Sequence, residues 1–141
     1  MSFLKPKRRR IEKAARLLLK GKLVAEIEES GLSVDEALVL HDALGYLKRK
    51  FPNKSSSWYY RALIRFLFGV RQLSENTWIV RGLKSLGDNY PQYTVVYLGD
   101  RYTCDCYYRT WGARRRKEVC THIASVILFR QFEKRLKVIK E

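Results

Sequence analysis

Four side chains in this sequence have the types and spacing to hold a metal ion. They form two pairs, Cys104-Asp105-Cys106 and, after thirteen intervening residues, Cys120-Thr121-His122. These three cysteines are the chain's only ones, and His122 is one of its two histidines. Three thiolate sulfurs and one imidazole nitrogen make up a tetrahedral zinc donor set, so one structural Zn2+ is the expected cofactor. With four protein ligands no position is left for an activated water, and no chemistry is expected at the metal. In an extended segment residues i and i+2 point the same way, which lets Cys104 and Cys106 aim at one ion. Helical residues at that spacing do not face each other, so Cys120 is expected on the turn into a helix, with His122 in its first turn. A disulfide framework would leave one cysteine over and would suit a secreted chain, yet no signal peptide is visible. Cys104 and Cys106 are also too close in sequence for an unstrained bridge. Inert buried cysteines and an iron–sulfur cluster are the remaining alternatives, the second normally wanting four cysteines.

The flanks of this cluster resemble a SWIM zinc finger. Trp78-Ile79-Val80 and Tyr93-Thr94-Val95-Val96-Tyr97 stand where that family has its two strands, and Ile123-Ala124 follows the second ligand pair into a helix. The resemblance covers about residues 76 to 130. It implies a ββα unit around one zinc that binds nucleic acid or a protein, in a family that includes Mutator-class transposases, Swi/Snf-type ATPases and small partners of RecA-like recombinase paralogues. It implies no catalytic residue.

Composition favours a polyanionic partner. Among 141 residues, 29 Lys and Arg against 14 Asp and Glu give a formal charge of +15, far beyond what solubility requires. Nucleic acid is the expected partner, RNA or DNA, within a larger ribonucleoprotein as one form. No apolar run approaches the roughly 20 residues of a membrane helix, and no lipidation signal is present, so no membrane is expected. Free cysteines in a metal pattern suit the reducing cytoplasm.

The elements that must position the cluster divide near residue 75, into a basic helical region (1–75) and a zinc-finger domain with a C-terminal helix (76–141). The expected class is α+β: a helical N-terminal half, then a ββα zinc-bound unit ending in a long helix. Ile11, Ala14, Ala15, Leu18 and Leu19 form an apolar stripe that Gly21 is placed to end. Leu23 to Glu29 fits helix or strand. Ser33-Val34-Asp35-Glu36 is a capping box, with Ala37, Leu40, Leu44 and Leu47 as the buried face behind it. Pro52-Asn53-Lys54 breaks the chain, and one of Ser55, Ser56 and Ser57 caps a helix that buries Tyr59, Leu63, Phe66, Leu67 and Val70. Strands are expected at Trp78 to Leu83 and Tyr93 to Leu98, with Gly87-Asp88-Asn89 turning between them. The final helix places Ala124, Leu128, Phe132, Leu136 and Ile139 on one face, and Arg130, Lys134, Lys137 and Lys140 on the other.

Three basic segments are candidate nucleic-acid contacts. Between the ligand pairs lie Tyr107, Tyr108, Arg109, Trp111, Arg114, Arg115, Arg116 and Lys117. Cations interleaved with aromatics suit RNA or single strands, because arginines neutralise phosphates and rings stack on unpaired bases. The alternative is that the rings pack on the finger while the cations are solvated, or help hold the thiolates ionised. The second segment is Lys5, Lys7, Arg8, Arg9 and Arg10, continuing as Lys13, Arg16 and Lys20; it reads as a phosphate-binding arm, a solvated tail or a localisation signal. The third is the basic face of the last helix. His41 beside Asp42 reads as structural or exposed, and Glu26, Glu28 and Glu29 as a charged surface. Asp105 either accepts a hydrogen bond behind the ligands or faces solvent. No phosphate loop or Walker lysine occurs, and no enzyme is expected. The expected function is a small zinc-finger protein binding nucleic acid. The alternative is an adaptor docking onto a protein such as a recombinase paralogue or a polymerase.

Overall fold

A computed structural model describes residues 8–19, 32–106 and 119–140. The helices come first: α1 (Arg8–Leu19), α2 (Val34–Lys50) and α3 (Ser56–Phe68). Four strands follow, β1 (Val70–Ser74), β2 (Thr77–Arg81), β3 (Gln92–Tyr97) and β4 (Tyr102–Cys104), and then α4 (Thr121–Lys140). The class is α+β, with one antiparallel sheet in the order β1-β2-β3-β4.

Local chemistry sets the helix ends. The Ser33 hydroxyl accepts from the Glu36 amide while the Glu36 carboxylate accepts from the Ser33 amide, closing the expected capping box. Ser55 caps α3 by accepting from the Trp58 amide at 3.1 Å. That helix stops at Gly69, whose φ of 140° is open to glycine and strained for other residues. Val70 therefore begins a strand instead of ending a helix face, and the expected boundary of the sheet moves back from residue 75 to residue 70.

The sheet holds two more strands than the ββα expectation. β1 shows one buried residue followed by four exposed ones, so it lacks the alternation that marks a half-buried strand. β4 is three residues long and ends on Cys104. One face of the sheet is apolar: Trp78, Val95 and Cys104 are cross-strand partners in one row, with Val80 and Tyr93 in the next, and all five are buried. Helix α4 lies on this face and packs on its other side against α2 and α3, while α1 packs on α3. Buried residues of the helices and of the sheet form a single cluster, from Ala15 and Leu18 through Leu63, Phe66 and Trp78 to Leu128 and Phe132. Ala124, Leu128, Phe132 and Leu136 are buried as expected, whereas Ile139 is 51% exposed, one turn past the end of this core.

Gly82 occupies a close approach. Its amide donates to the Pro91 carbonyl at 2.8 Å, and a Cβ there would lie 1.9 Å from the Tyr90 carbonyl oxygen. Both neighbours are backbone, so Gly82→Ala is expected to cost about 1–3 kcal/mol, seen as a lower Tm. An unchanged Tm would mean that the Tyr90–Pro91 segment shifts freely.

Candidate metal centre

The sheet and α4 bring the two ligand pairs together. Cys104 ends β4 and Cys106 lies just past a turn at Asp105, whose amide continues the ladder by donating to the Thr94 carbonyl at 3.1 Å. The pair thus combines a strand end with a turn, where extended backbone was expected throughout. Cys120 is on the turn into α4 and His122 in its first turn, as the spacing required. The Cys120 carbonyl accepts from the Ala124 amide at 3.0 Å, and its sulfur accepts from the Ile123 amide at 3.4 Å.

One ligand atom from each of Cys104, Cys106, Cys120 and His122 lies within 4.8 Å of the other three, and all four residues are buried. Four converging donors at that separation fit a single metal ion. The donors' acidities point the same way. Hydrogen bonding to Cys106 and Cys120, then burial, pushes the Cys104 thiol far up. Cys106 is lowered by its bond to Cys104, but Cys120 and burial outweigh this and raise it to about 12. Burial also opposes ionisation of Cys120, yet bonds from Cys104, Cys106 and His122 hold it well below an ordinary thiol. Three sulfurs this close cannot all ionise unless a cation sits among them. A metal bound among these sulfurs would therefore expel the protons of Cys104 and Cys106.

A second layer of contacts runs from the ligands into α3. The His122 Nε2 sits 3.2 Å from Asp88 Oδ1. A carboxylate only accepts, so Nε2 carries a proton and Nδ1, 3.8 Å from Cys120 Sγ, is left for the metal. Burial lowers the His122 pKa, but its bonds to Asp88 and Cys120 more than offset this and the net shift is upward. Tyr93 stacks on the imidazole with ring centres 4.1 Å apart. Asp88 is itself gripped by both terminal nitrogens of Arg65 and by the Leu83 amide at 2.8 Å. Burial alone would raise the Asp88 pKa, but the donors from His122, Arg65 and Leu83 outdo it and hold the carboxyl well below the usual range. Arg65 Nε then donates to the Thr121 hydroxyl at 2.8 Å. Arg65, only 2% exposed, so joins α3, the loop before β3 and the start of α4.

Neither Arg65 nor Asp88 stood out in the sequence, where Asp88 reads as a turn residue. The signal available was Arg65 itself. It interrupts Ala62-Leu63-Ile64-Arg65-Phe66-Leu67, a stretch that is buried throughout, and a cation in such a helix requires a buried partner.

A cleft of about 400 Å³ opens beside the metal centre, lined by Lys54, Ser57, Trp58, Arg61, Asp88, Cys106, Cys120 and His122 among others. Of the expected nucleic-acid contacts, Tyr107, Tyr108, Arg109, Trp111, Arg114, Arg115, Arg116 and Lys117 lie outside the described residues, as do Lys5, Lys7, Lys20 and the segment 21–31 with its glutamates. Arg8, Arg9 and Arg10 form the first turn of α1, and Lys13 and Arg16 on the same helix are exposed. On α4, Lys134 and Lys137 are exposed. Arg130 is engaged locally: it donates to the Tyr102 hydroxyl at 2.6 Å and lies 5.1 Å from the Trp78 ring and 5.3 Å from that of Tyr97. His41 is at the surface, 3.9 Å from Asp42. No helix among the described residues is long and apolar enough to cross a membrane.

No family model matches the chain, and none of the curated proteins or solved structures compared with it matches either.

Proposed function

We propose that this protein is a non-enzymatic, zinc-stabilised nucleic-acid-binding protein. The ion is zinc on the strength of its donor set, since three thiolates and an imidazole converging on one buried point suit that metal best. Its four positions are filled by protein, so it holds the fold and activates no water. Residues 76 to 130 are read as a SWIM-type finger, elaborated by β1 and β4. An RNA- or ribosome-associated factor is one concrete form, and a DNA-bound regulator another.

The observation that carries this reading is the formal charge of +15, together with how many of the described cations are exposed. Arg65–Asp88 is a buried ion pair, while Arg49, Lys50, Lys54, Lys84, Lys134 and Lys137 are all exposed. Phosphate binding needs cations available in this way, and protein interface cores are depleted in charge. The adaptor reading draws on Val34 and Leu38, one helical turn apart on α2 and each 46% exposed.

Replacing Arg114, Arg115 and Arg116 together with alanine tests the first reading. The variant should keep its metal and its Tm, bind RNA or DNA more weakly, and show a shallower dependence of log K on log salt, by about 0.7–0.9 for each phosphate no longer neutralised. Unchanged affinity and slope would move the binding surface elsewhere. Partner capture that survives both ribonuclease and deoxyribonuclease would support the adaptor.

A further inference from the structure

The cleft beside the candidate metal centre is lined by cations and, among the described residues, by no carboxylate available to a ligand. Trp58, Arg61 and Arg65 recur at i, i+3 and i+7, so they share one side of α3, and Lys54, just ahead of the Ser55 cap, lines the cleft with them. Lys54 and Ser57 are exposed, Trp58 and Arg61 half-buried. The Lys54 ammonium lies 5.3 Å from the centre of the Trp58 ring, and Trp58 is fixed by its Nε1 donating to the Val119 carbonyl at 3.3 Å. Arg61 donates to the Leu86 carbonyl on the facing wall. Among the described residues the one acid lining the cleft is Asp88, which is buried and spent on Arg65, His122 and the Leu83 amide. Two residues of the lining, Cys106 and Val119, are the points at which the arginine- and tyrosine-rich insert joins the described structure.

We propose that this cleft is a binding subsite for an unpaired nucleic-acid strand, with successive phosphates on Lys54 and Arg61 and a base against Trp58. The proposal rests on the nucleic-acid reading above and specifies where and in what form the ligand is held. Lys54 precedes the Ser55 cap of α3 and Arg61 lies within the helix, on either side of Trp58 in the chain, so each can face its own phosphate. A concave site of about 400 Å³ is of the size that encloses a small ligand. It suits a single nucleotide splayed from a flexible strand, whereas a duplex presents a convex backbone and keeps its bases stacked inside.

Fluorescence anisotropy of the full chain with short labelled oligonucleotides decides the matter, using single-stranded RNA, single-stranded DNA and the corresponding duplexes. Lys54→Ala with Arg61→Ala should lower single-strand affinity on the order of twentyfold at about 0.1 M salt and reduce the salt slope by about 0.7 per phosphate released. Its metal content should match the parent's. Lys54→Ala alone, an exposed change, should weaken binding about fivefold, and it decides the question if the double variant does not fold. A strand carrying a photoactivatable thiouracil should cross-link to the peptide containing residues 54–61. Parent binding that the variants leave unchanged, with adducts elsewhere, overturns the cleft but leaves the nucleic-acid reading intact. Equal, variant-sensitive binding of duplex overturns the single-strand assignment. A parent that binds none of these probes overturns both. The RNA and DNA arms separate the two sources of the strand.

Discussion

Cys120→Ser is expected to release the metal and unfold the sheet together with α4. Serine offers a hard, weakly acidic hydroxyl where a soft thiolate would hold the ion. Binding of a structural zinc is worth about 10–16 kcal/mol near neutral pH, comparable to or larger than the roughly 5–15 kcal/mol that keeps a domain folded. Cys120 also sits at the hinge between the ligands and α4, accepting through its sulfur from the Ile123 amide. Without the ion, Cys104, Cys106 and His122 would remain buried with mismatched protons. Metal content by atomic absorption and thermal unfolding by circular dichroism would be read together, beside the parent treated with a chelator. A metal-free variant with the parent's Tm would show that the core holds this half without the ion.

Asp88→Ala should be the next most damaging change, although Asp88 is no ligand. It strips the partner from Arg65, whose guanidinium is 2% exposed in the core, and it orphans the Leu83 amide and the His122 Nε2–H. Breaking a buried pair from one side typically costs about 3–5 kcal/mol, because the surviving charge has no solvent. The reciprocal control is Arg65→Met with Asp88→Leu. Removing both charges should recover much of the Tm lost by Asp88→Ala, since apolar replacement of a buried pair is often neutral. Metal affinity gives an independent readout: without its carboxylate, His122 loses the bond that fixes its tautomer, and outer hydrogen bonds of this kind are worth about 10–100-fold. Should the double variant be as unstable as Asp88→Ala, the cost would lie with the Leu83 and His122 bonds and not with the stranded arginine.

What could be read from the sequence was whatever local chemistry decides. The box at Ser33 and Glu36, the buried face of Ala37, Leu40, Leu44 and Leu47, and the placing of Cys120 and His122 at the start of a helix all follow from residue type and spacing within a few positions. The parts that escaped depend on distant chain. β1 is an edge strand with four of its five residues exposed, so nothing alternates in it. Its identity comes from Gly69 ending α3 and from pairing with β2. β4 is held by its register on β3 and is too short to announce itself. Arg130 is exposed, as one cation of a solvated stripe would be, yet it also lies against three rings of the sheet. Asp88 carries an ordinary turn signal, and only the approach of Arg65 and His122 turns it into the centre of a buried network.

The position of α4 in the chain has a consequence for how the protein is made. The four strands are neighbours in sequence as well as in space, so the meander can form by short loop closures soon after it emerges from the ribosome. Yet the apolar faces of this sheet, of α2 and of α3 are all covered by α4, which is translated after every one of them. His122, on the same helix, is also the fourth donor of the cluster. At about 5–20 residues per second, several seconds separate β1 from α4, and throughout that interval the nascent chain carries uncovered apolar surface and an incomplete metal site. Closure of the core and assembly of the four-donor cluster thus wait on the same stretch of helix.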